Sequence, residues 1–360
     1  MLIGRQKAKA ATASQSEAKS SEQEIPNTMS MSISLPSLSR LSSLGVAMAL
    51  QSPHKYKHNR SRSMPSSPKG HPSLTDTLVG EVERLEESCS SSSSFGADWF
   101  GLALEVAINC YSNLSNMQID MEGVGSKWIN AHLDDILHLL EACNLLRDTI
   151  TEIRKQHTSV QVAIRGLGRD HTPSAHALER ARTTLAICLC KKKDTQTQLE
   201  KCMSTLRRMA EKLNVEDKAG LAQATININH AKAITVMIFS ALVTALSFKT
   251  SHRRMPSLPL PVHFTCLQHK LREAFEMRKR SSSSSTRSLR ELEAADIALG
   301  NLNNLLNSKS KLQLPLHFSP STLALNDLET ALPQLENKIN QLFKFLISAR
   351  VAILNTLSSH

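Results

Sequence analysis

Residues 127–167 read KWINAHLDDILHLLEACNLLRDTITEIRKQHTSVQVAIRGL, and this stretch decides the fold of the chain. Its apolar residues recur at steps of three and four positions, which is the spacing of one helical face, over about eleven turns. His157 fills the one gap in the series, and no Pro or Gly occurs before Gly166. The apolar positions are Ile129, Leu133, Ile136, Leu140, Cys143, Leu146, Ile150, Ile153, Val160 and Ile164. A helix of this length cannot bury such a stripe against itself, so the sequence predicts long partner helices.

The opposite face of this helix carries charged residues. They are Asp134, Asp135, Glu141, Arg147, Asp148, Glu152, Arg154 and Lys155. The adjacent carboxylates Asp134 and Asp135 project in different directions from a helix. We therefore expect both to lie on a solvated face and not to act as a catalytic pair.

A second stripe of the same kind lies near the end of the chain. Its members are Leu325, Leu328, Leu332, Leu335, Ile339, Leu342, Leu346, Ala349 and Ile353. This spacing is a heptad seam typical of a coiled coil. Pro333 interrupts it and predicts a kink or a restart of the helix. Pairing with the central helix within the chain is favoured over pairing with another molecule, because the central helix needs a long partner.

The remaining segments also show helical patterns. They cover residues 75–87, 98–121, 175–213, 217–249, 264–279 and 286–307. In the second of them, Trp99, Leu102, Val106, Cys110, Leu114 and Met117 are predicted to share one side. The hydrophobic content of 41% suffices for a core, and the aromatic content of 4% suits helix packing better than a β-sandwich. The predicted fold is all-α, an elongated multi-helix bundle with long antiparallel helices.

Two domains are predicted, an N-terminal arm over residues 1–75 and a helical domain over residues 76–360. The arm is rich in Ser and Pro and carries +7 of the net charge of +11, so we expect it to be disordered. Within the helical domain, residues 250–262 hold three prolines and predict a linker, and residues 281–285 predict a Ser-rich loop.

The arm holds two candidate signals. Arg60-Ser61-Arg62-Ser63-Met64-Pro65 fits the pattern that a 14-3-3 protein binds after phosphorylation of the second serine, with Arg60, Ser63 and Pro65 as the determining residues. Residues 29–71 are Ser-rich, basic and free of acidic residues, as in an organelle transit peptide. Arginine-, serine- and proline-rich disorder also produces both patterns by chance.

The most apolar window, Ala233–Phe248, leaves two alternatives open. Its sixteen uncharged residues span about 24 Å as a helix, against a hydrocarbon core of about 30 Å. Burial at the centre of a bundle is therefore one interpretation. The other is a short membrane span or a membrane-dipping segment, with Arg253 and Arg254 on the cytosolic side.

The sequence shows no set of residues with the spacing of a catalytic, cofactor-binding or metal-binding site. Gly166-Leu167-Gly168 follows a helix and not a strand, and Cys188 and Cys190 have no second pair at the spacing of a zinc site. No basic stripe with interleaved aromatic residues indicates a specific nucleic-acid site. The seven scattered Cys and the polar N-terminal start favour a reducing compartment, the cytoplasm. The sequence therefore predicts a protein that is not an enzyme.

Several runs of residues resemble the plant BYPASS family of helical proteins. Near the start of the central helix these are Lys127-Trp128, His132-Leu133-Asp134 and LLEACNLLR at residues 139–147. The closing run LFKFLISARVAILN at residues 342–355 resembles the last helix of that family. The apolar window, the Pro-rich linker and the N-terminal arm follow in the same order as in the family. The resemblance covers residues 76–360, and the first 30 residues depart from it.

The resemblance implies an all-helical plant protein involved in root and shoot development, including the restraint of a root-derived mobile signal. It further implies, for some relatives, association with exocyst-type proteins in secretion, and it implies no catalytic residues. The first functional hypothesis is accordingly a scaffold that acts through helix surfaces and a phosphorylatable arm. The second is a membrane-associated secretion factor that attaches through Ala233–Phe248 or the basic arm. The third is a protein that holds a small ligand between its helices.

Overall fold

The computed structural model confirms an all-α fold. It describes residues 74–91, 95–116, 125–167, 174–190, 192–216, 223–248, 255–281, 286–307 and 318–358. The helices are α1 (Leu74–Ser91), α2 (Ala97–Asn116), α3 (Ser126–Leu167), α4 (Ala175–Cys190), α5 (Lys192–Glu216), α6 (Gln223–Leu246), α7 (Val262–Ser281), α8 (Arg290–Asn307) and α9 (Phe318–Ser358). Within these ranges, extended backbone pairing is limited to one isolated bridge between Phe248 and Arg287. The predicted arm ends at residue 75, and residues 1–73 lie outside the description, so that boundary stays a prediction.

The two long helices, α3 and α9, pack against each other in antiparallel orientation. Arg350 donates a hydrogen bond to the carbonyl of Leu133 at 2.7 Å. Arg154 pairs with Glu336 at 2.7 Å, and the side chain of Gln161 meets that of Asn326. Contacts on α9 therefore move toward its N-terminus as those on α3 move toward its C-terminus. The predicted pairing within the chain is confirmed.

Both predicted stripes lie in the core. On α3 and α9 every stripe residue is at most 6% exposed, apart from the partly buried Leu140 and Ala349. His157, which fills the gap in the α3 series, is buried as well and contacts the carbonyl of Ile153 through its Nδ1 at 2.7 Å. The three-and-four spacing thus identified the packing face of both helices.

The structure corrects three local predictions. Helix α9 runs without a break through Pro333, so of the two predicted alternatives the restart is wrong, and the kink stays a prediction. The helical pattern over residues 175–213 is divided between two helices, α4, which ends at Cys190, and α5, which begins at Lys192. Leu102 is 44% exposed, although it was placed on the packing face with Trp99 and Val106. The rest of the predicted face that the structure describes is buried, and α2 also buries the face next to it because α1, α6 and α9 all pack on this helix. The additional buried residues include Phe100, Ala103, Leu104, Ala107 and Tyr111.

Helix α6 is the core helix of the bundle. Its segment Thr225–Leu246 is the one stretch in the described ranges that is long and apolar enough to cross a membrane, and 83% of its most apolar window is buried inside the protein. Its principal neighbours are α2 and α5, with smaller contacts to α3 and α7. In this fold Ala233–Phe248 is therefore buried at the centre of the bundle, which is the first of the two interpretations.

Polar contacts fix both the end of α6 and the start of α8. The amides of Ser288 and Leu289 donate to the carbonyl of Ala245 at 3.0 and 2.9 Å. The buried Arg287 guanidinium forms two hydrogen bonds with Asp296, at 3.0 and 2.9 Å. These bonds satisfy a helix end that would otherwise leave buried carbonyls unpaired.

The start of α2 depends on residues from α8. Glu291 accepts a hydrogen bond from the amide of Ala97 at 3.1 Å, which places a carboxylate at the N-terminus of α2. The amide of Arg290 donates to the carbonyl of Phe95 at 2.9 Å. A Cβ atom at Gly96 would lie 2.6 Å from the Arg290 guanidinium and 2.9 Å from the Glu291 carboxylate. A side chain at this position would therefore displace the ends of Arg290 and Glu291 from their present places.

Replacing Leu342 by Ala should destabilise the domain by about 2–5 kcal/mol, because Leu342 is fully buried in the α3–α9 seam. The free energy of unfolding, measured by chemical denaturation, tests this. Val162→Ala is the control, since Val162 is 63% exposed on α3, and it should change stability by less than about 0.5 kcal/mol. Equal effects of the two substitutions would contradict the packing described here.

Candidate functional site

The residues predicted for 14-3-3 docking, Arg60, Ser63 and Pro65, lie outside the described residues, so that prediction is untested. Among the residues that the structure describes, no group of three or more His, Cys, Asp or Glu side chains could hold a metal ion. The remaining candidate features of the described residues are buried charges, cavities and exposed surfaces.

A buried ion pair joins α3 to α6. The ammonium group of Lys232 donates to the Oδ2 atom of Asp135 at 3.0 Å, and both side chains are almost fully buried. The half-exposed Lys212 of α5 lies 3.7 Å from the Oδ1 atom of the same carboxylate. The prediction of a solvated face is thus wrong for Asp135, whereas Asp134 is exposed as expected.

Aromatic rings line the same buried pair. The ring of Trp128 stacks on that of His132, with centroids 5.4 Å apart, and the Lys232 ammonium lies 5.9 Å from the Trp128 centroid. Trp128, His132 and Asp135 are spaced four and three residues apart, so one face of α3 presents all three to Lys232. Burial, and secondarily the charge of Lys232, lower the pKa of His132 to about 3, so its imidazole is neutral at physiological pH.

This cluster can position helices, but it offers no reacting group to a substrate. The Lys232 ammonium is held by a carboxylate, and the His132 imidazole is buried and neutral. Breaking a buried pair leaves an uncompensated charge, which is costly, so the pair selects one register of α6 against α3. We assign it a structural role.

Replacing Asp135 by Asn should cost about 3–5 kcal/mol of stability, because the Lys232 charge would remain buried without its carboxylate. Chemical denaturation measures the loss. Asp134→Asn is the matched control on the neighbouring exposed position and should be nearly silent. The double variant Asp135→Leu with Lys232→Met removes both charges and should recover most of the loss. A mild effect of Asp135→Asn alone would show that the pair is not buried in solution.

Acidification should also destabilise the domain through His132. The unfolded chain protonates this residue near pH 6.5, whereas the folded chain does so only near pH 3. The unfolded state therefore binds more protons between these values, and the free energy of unfolding falls as the pH drops. From pH 7.5 to pH 5.5 the wild type should lose about 1.4 kcal/mol more than His132→Phe, which cannot titrate. Denaturation at the two pH values tests this, and parallel losses would contradict it.

The buried thiols are packing residues. Cys110, Cys143 and Cys202 are buried, and burial raises the pKa of each, that of Cys202 to about 12. Thiolates are the reactive form of cysteine, so these three are unreactive at physiological pH.

The clefts along the α3–α9 pair do not fit the third hypothesis, a small ligand held between helices. One of them, near Gln161 and Leu325, has a volume of about 30 Å³, which is the room that one water molecule takes up. Drug-sized ligands occupy about 300–1,000 Å³. The other, near Arg147 and Phe343, has a volume of about 530 Å³, but it is a groove open to solvent and does not enclose a ligand between the helices.

This groove belongs to a larger surface, which we call the outer face. It consists of the sides of α3 and α9 that point away from the core, and its apolar centre is formed by Leu137, Ile347, Val351 and Leu354. These four side chains are 38–48% exposed, and the partly buried Phe343 extends the row toward the groove. On α9 the row 343, 347, 351 and 354 follows helical spacing and lies beside the buried stripe.

The antiparallel register brings Leu137 of α3 to the same level. Since Arg350 reaches Leu133 and Arg154 reaches Glu336, residue 137 of α3 lies opposite residues 347–351 of α9. Charged residues surround this centre, with exposed Glu141 and Asp148 on the α3 side and exposed Lys344 on the α9 side. A rigid helix pair with an apolar centre and a charged rim has the composition of a protein-binding surface.

Comparison with known proteins shows the family to which the chain belongs. A family model described as Protein BPS1 matches residues 111–356. The chain belongs to this family. The match includes α3, α6 and α9, and it confirms the resemblance to plant BYPASS proteins that the sequence runs indicated.

The individual relatives are distant. A rice protein (Oryza sativa subsp. japonica) named UPF0496 protein 4 is 24% identical over 253 residues, which is 67% of this chain and 55% of the rice protein. An Arabidopsis thaliana protein named Protein BPS1, chloroplastic is 21% identical over 272 residues, covering 72% of this chain and 76% of that protein. The chain thus aligns with about half the length of the rice relative. No solved structure matches.

Sequence reasoning missed both the ion pair and the outer face. Lys232 borders the apolar window Ala233–Phe248, and its partner Asp135 lies 97 residues away, so no local pattern reveals the pair. The outer face did leave a signal. A second apolar row runs beside the main stripe of α9 and consists of Phe343, Ile347, Val351 and Leu354. The stripe and the row together make an apolar face that is wider than packing against one neighbour requires.

Proposed function

We propose that this BPS1-family chain is a non-enzymatic regulator of plant development that works as a scaffold and binds protein partners through the outer face. The observation that carries the proposal is the exposed apolar centre of Leu137, Ile347, Val351 and Leu354 on the two longest helices. A surface built on rigid helices loses little entropy when a partner binds, because its side chains are already held in place.

The finer part of the proposal concerns the process and the partners. Restraint of a root-derived mobile signal is the role that the family resemblance implies. A 14-3-3 protein that binds phosphorylated Ser63, with Arg60 and Pro65 as flanking determinants, would attach through the arm. Exocyst-type proteins are the partner class that the resemblance suggests for the helical domain.

A second candidate is a membrane-associated secretion factor, which the hydropathy of Thr225–Leu246 favours. In the fold described, that helix is enclosed, and Lys232 ties it to α3. Attachment without unfolding would therefore use the basic arm, whose positive charge suits an anionic lipid surface. The arm would equally serve organelle import, and the Arabidopsis relative carries the word chloroplastic in its name. The cytoplasm is the location that we propose for the scaffold.

Proximity labelling in plant cells tests the scaffold proposal. The full chain should label a set of proteins, and Val351→Asp should remove part of that set because it places a charge in the apolar centre. A chain without residues 1–75 should instead lose any 14-3-3 protein. Ile187→Asp on α4 is the control, since Ile187 is 52% exposed and distant in sequence from the outer face. Identical labelling by the wild type and Val351→Asp would contradict the proposed surface.

A further inference from the structure

We propose that the outer face binds a second copy of this chain, with α3 of each copy lying on α9 of the other to form a four-helix layer. This inference rests on the proposed role of the outer face and names one occupant for it. Among the described residues no helix covers this surface, and its apolar centre stays exposed in a single copy.

The dimensions of the outer face fit a dimer. Helices α3 and α9 run side by side from the Leu133–Arg350 contact to the Gln161–Asn326 contact. That is about 28 residues, or about 42 Å at 1.5 Å per residue, and two helices are about 20 Å wide. The product, roughly 800 Å², is the area that a standard interface buries on each partner. Because the apolar centre fills only part of it, we expect micromolar affinity.

Charge selects one of two symmetric arrangements. If the two-fold axis ran across the middle of the paired stretch, α3 would lie on α3 of the other copy, Asp148 would face Asp148, and the apolar centres of the two copies would lie at different levels. If the axis runs along the helices, α3 lies on α9 of the other copy without a shift in level. Like charges placed opposite each other are unfavourable, so the second arrangement is the stable one.

In that arrangement Glu141 meets Lys344 of the second copy. The register of the α3–α9 pair places residues 141 and 344 at the same level, since 133 pairs with 350 and 154 with 336. Both side chains are exposed, and neither has an ion pair in the described part of the chain. Lys155 and Glu329, both exposed, meet in the same way nearer the other end. Each pair occurs twice, as a two-fold interface requires.

Analytical ultracentrifugation of the full chain from about 1 to 100 µM tests the inference. The wild type should change from monomer to dimer over this range. Val351→Asp should weaken association about tenfold or more, because it places a carboxylate in the apolar centre. Glu141→Lys and Lys344→Glu should each weaken it about threefold to tenfold, and the two together should restore it, since the exchanged charges again face each other.

Two controls and a folding check complete the design. Ile187→Asp and Glu211→Lys make the same changes at exposed positions of α4 and α5 and should leave association unchanged. Thermal unfolding shows whether each variant remains folded. A wild type that stays monomeric at 100 µM, or a dimer unaffected by Val351→Asp, overturns the proposal. A double charge variant that remains weakened overturns the proposed arrangement. A monomer whose proximity labelling still depends on Val351 would refute only the dimer and keep the scaffold function.

Discussion

The mutual burial of the α3 and α9 stripes is the interaction on which the rest of this domain depends. The apolar stripe of α3 extends over about eleven turns and that of α9 over about eight, and no other single element is as long as these two helices. Antiparallel packing buries part of both stripes at once, and Arg350 and Arg154 fix the register at separate points. The other helices then arrange themselves around this pair, with α2 and α8 against α9, and α4 and α5 against α3.

The three-and-four spacing of apolar residues predicted the packing faces of α3 and α9, because the residues along one line of contact are set by local helical spacing. It did not predict how wide the buried face is, since that depends on how many neighbours a helix has. Helix α3 contacts α4, α5, α6 and α9, so its buried face widens to include Asp135. Helix α2 lies among α1, α6 and α9 and buries Phe100 and Tyr111 while Leu102 stays exposed.

The surface of α9 could be predicted from the sequence only in part. The buried stripe of α9 has the regular spacing of a seam, which made it easy to recognise. The adjacent row through Ile347 and Val351 has helical spacing too, yet only the three-dimensional structure shows that no described helix covers it. The scaffold hypothesis depends on the difference between the buried stripe and the exposed row, because buried residues cannot contact a partner. The exposed row is the feature that gives the hypothesis a location.

The carboxylate at the start of α2 has a consequence for how the protein is made. Glu291 follows Ala97 by 194 residues, so the ribosome finishes α2 well before its N-terminal partner exists. At about 5–20 residues per second, the delay is about 10–40 s. During that time the nascent chain holds an incomplete core, with α2 waiting for α8 and α3 for α9. Closure of this domain is therefore a late event of translation, and molecular chaperones have a defined interval in which to protect the emerging chain.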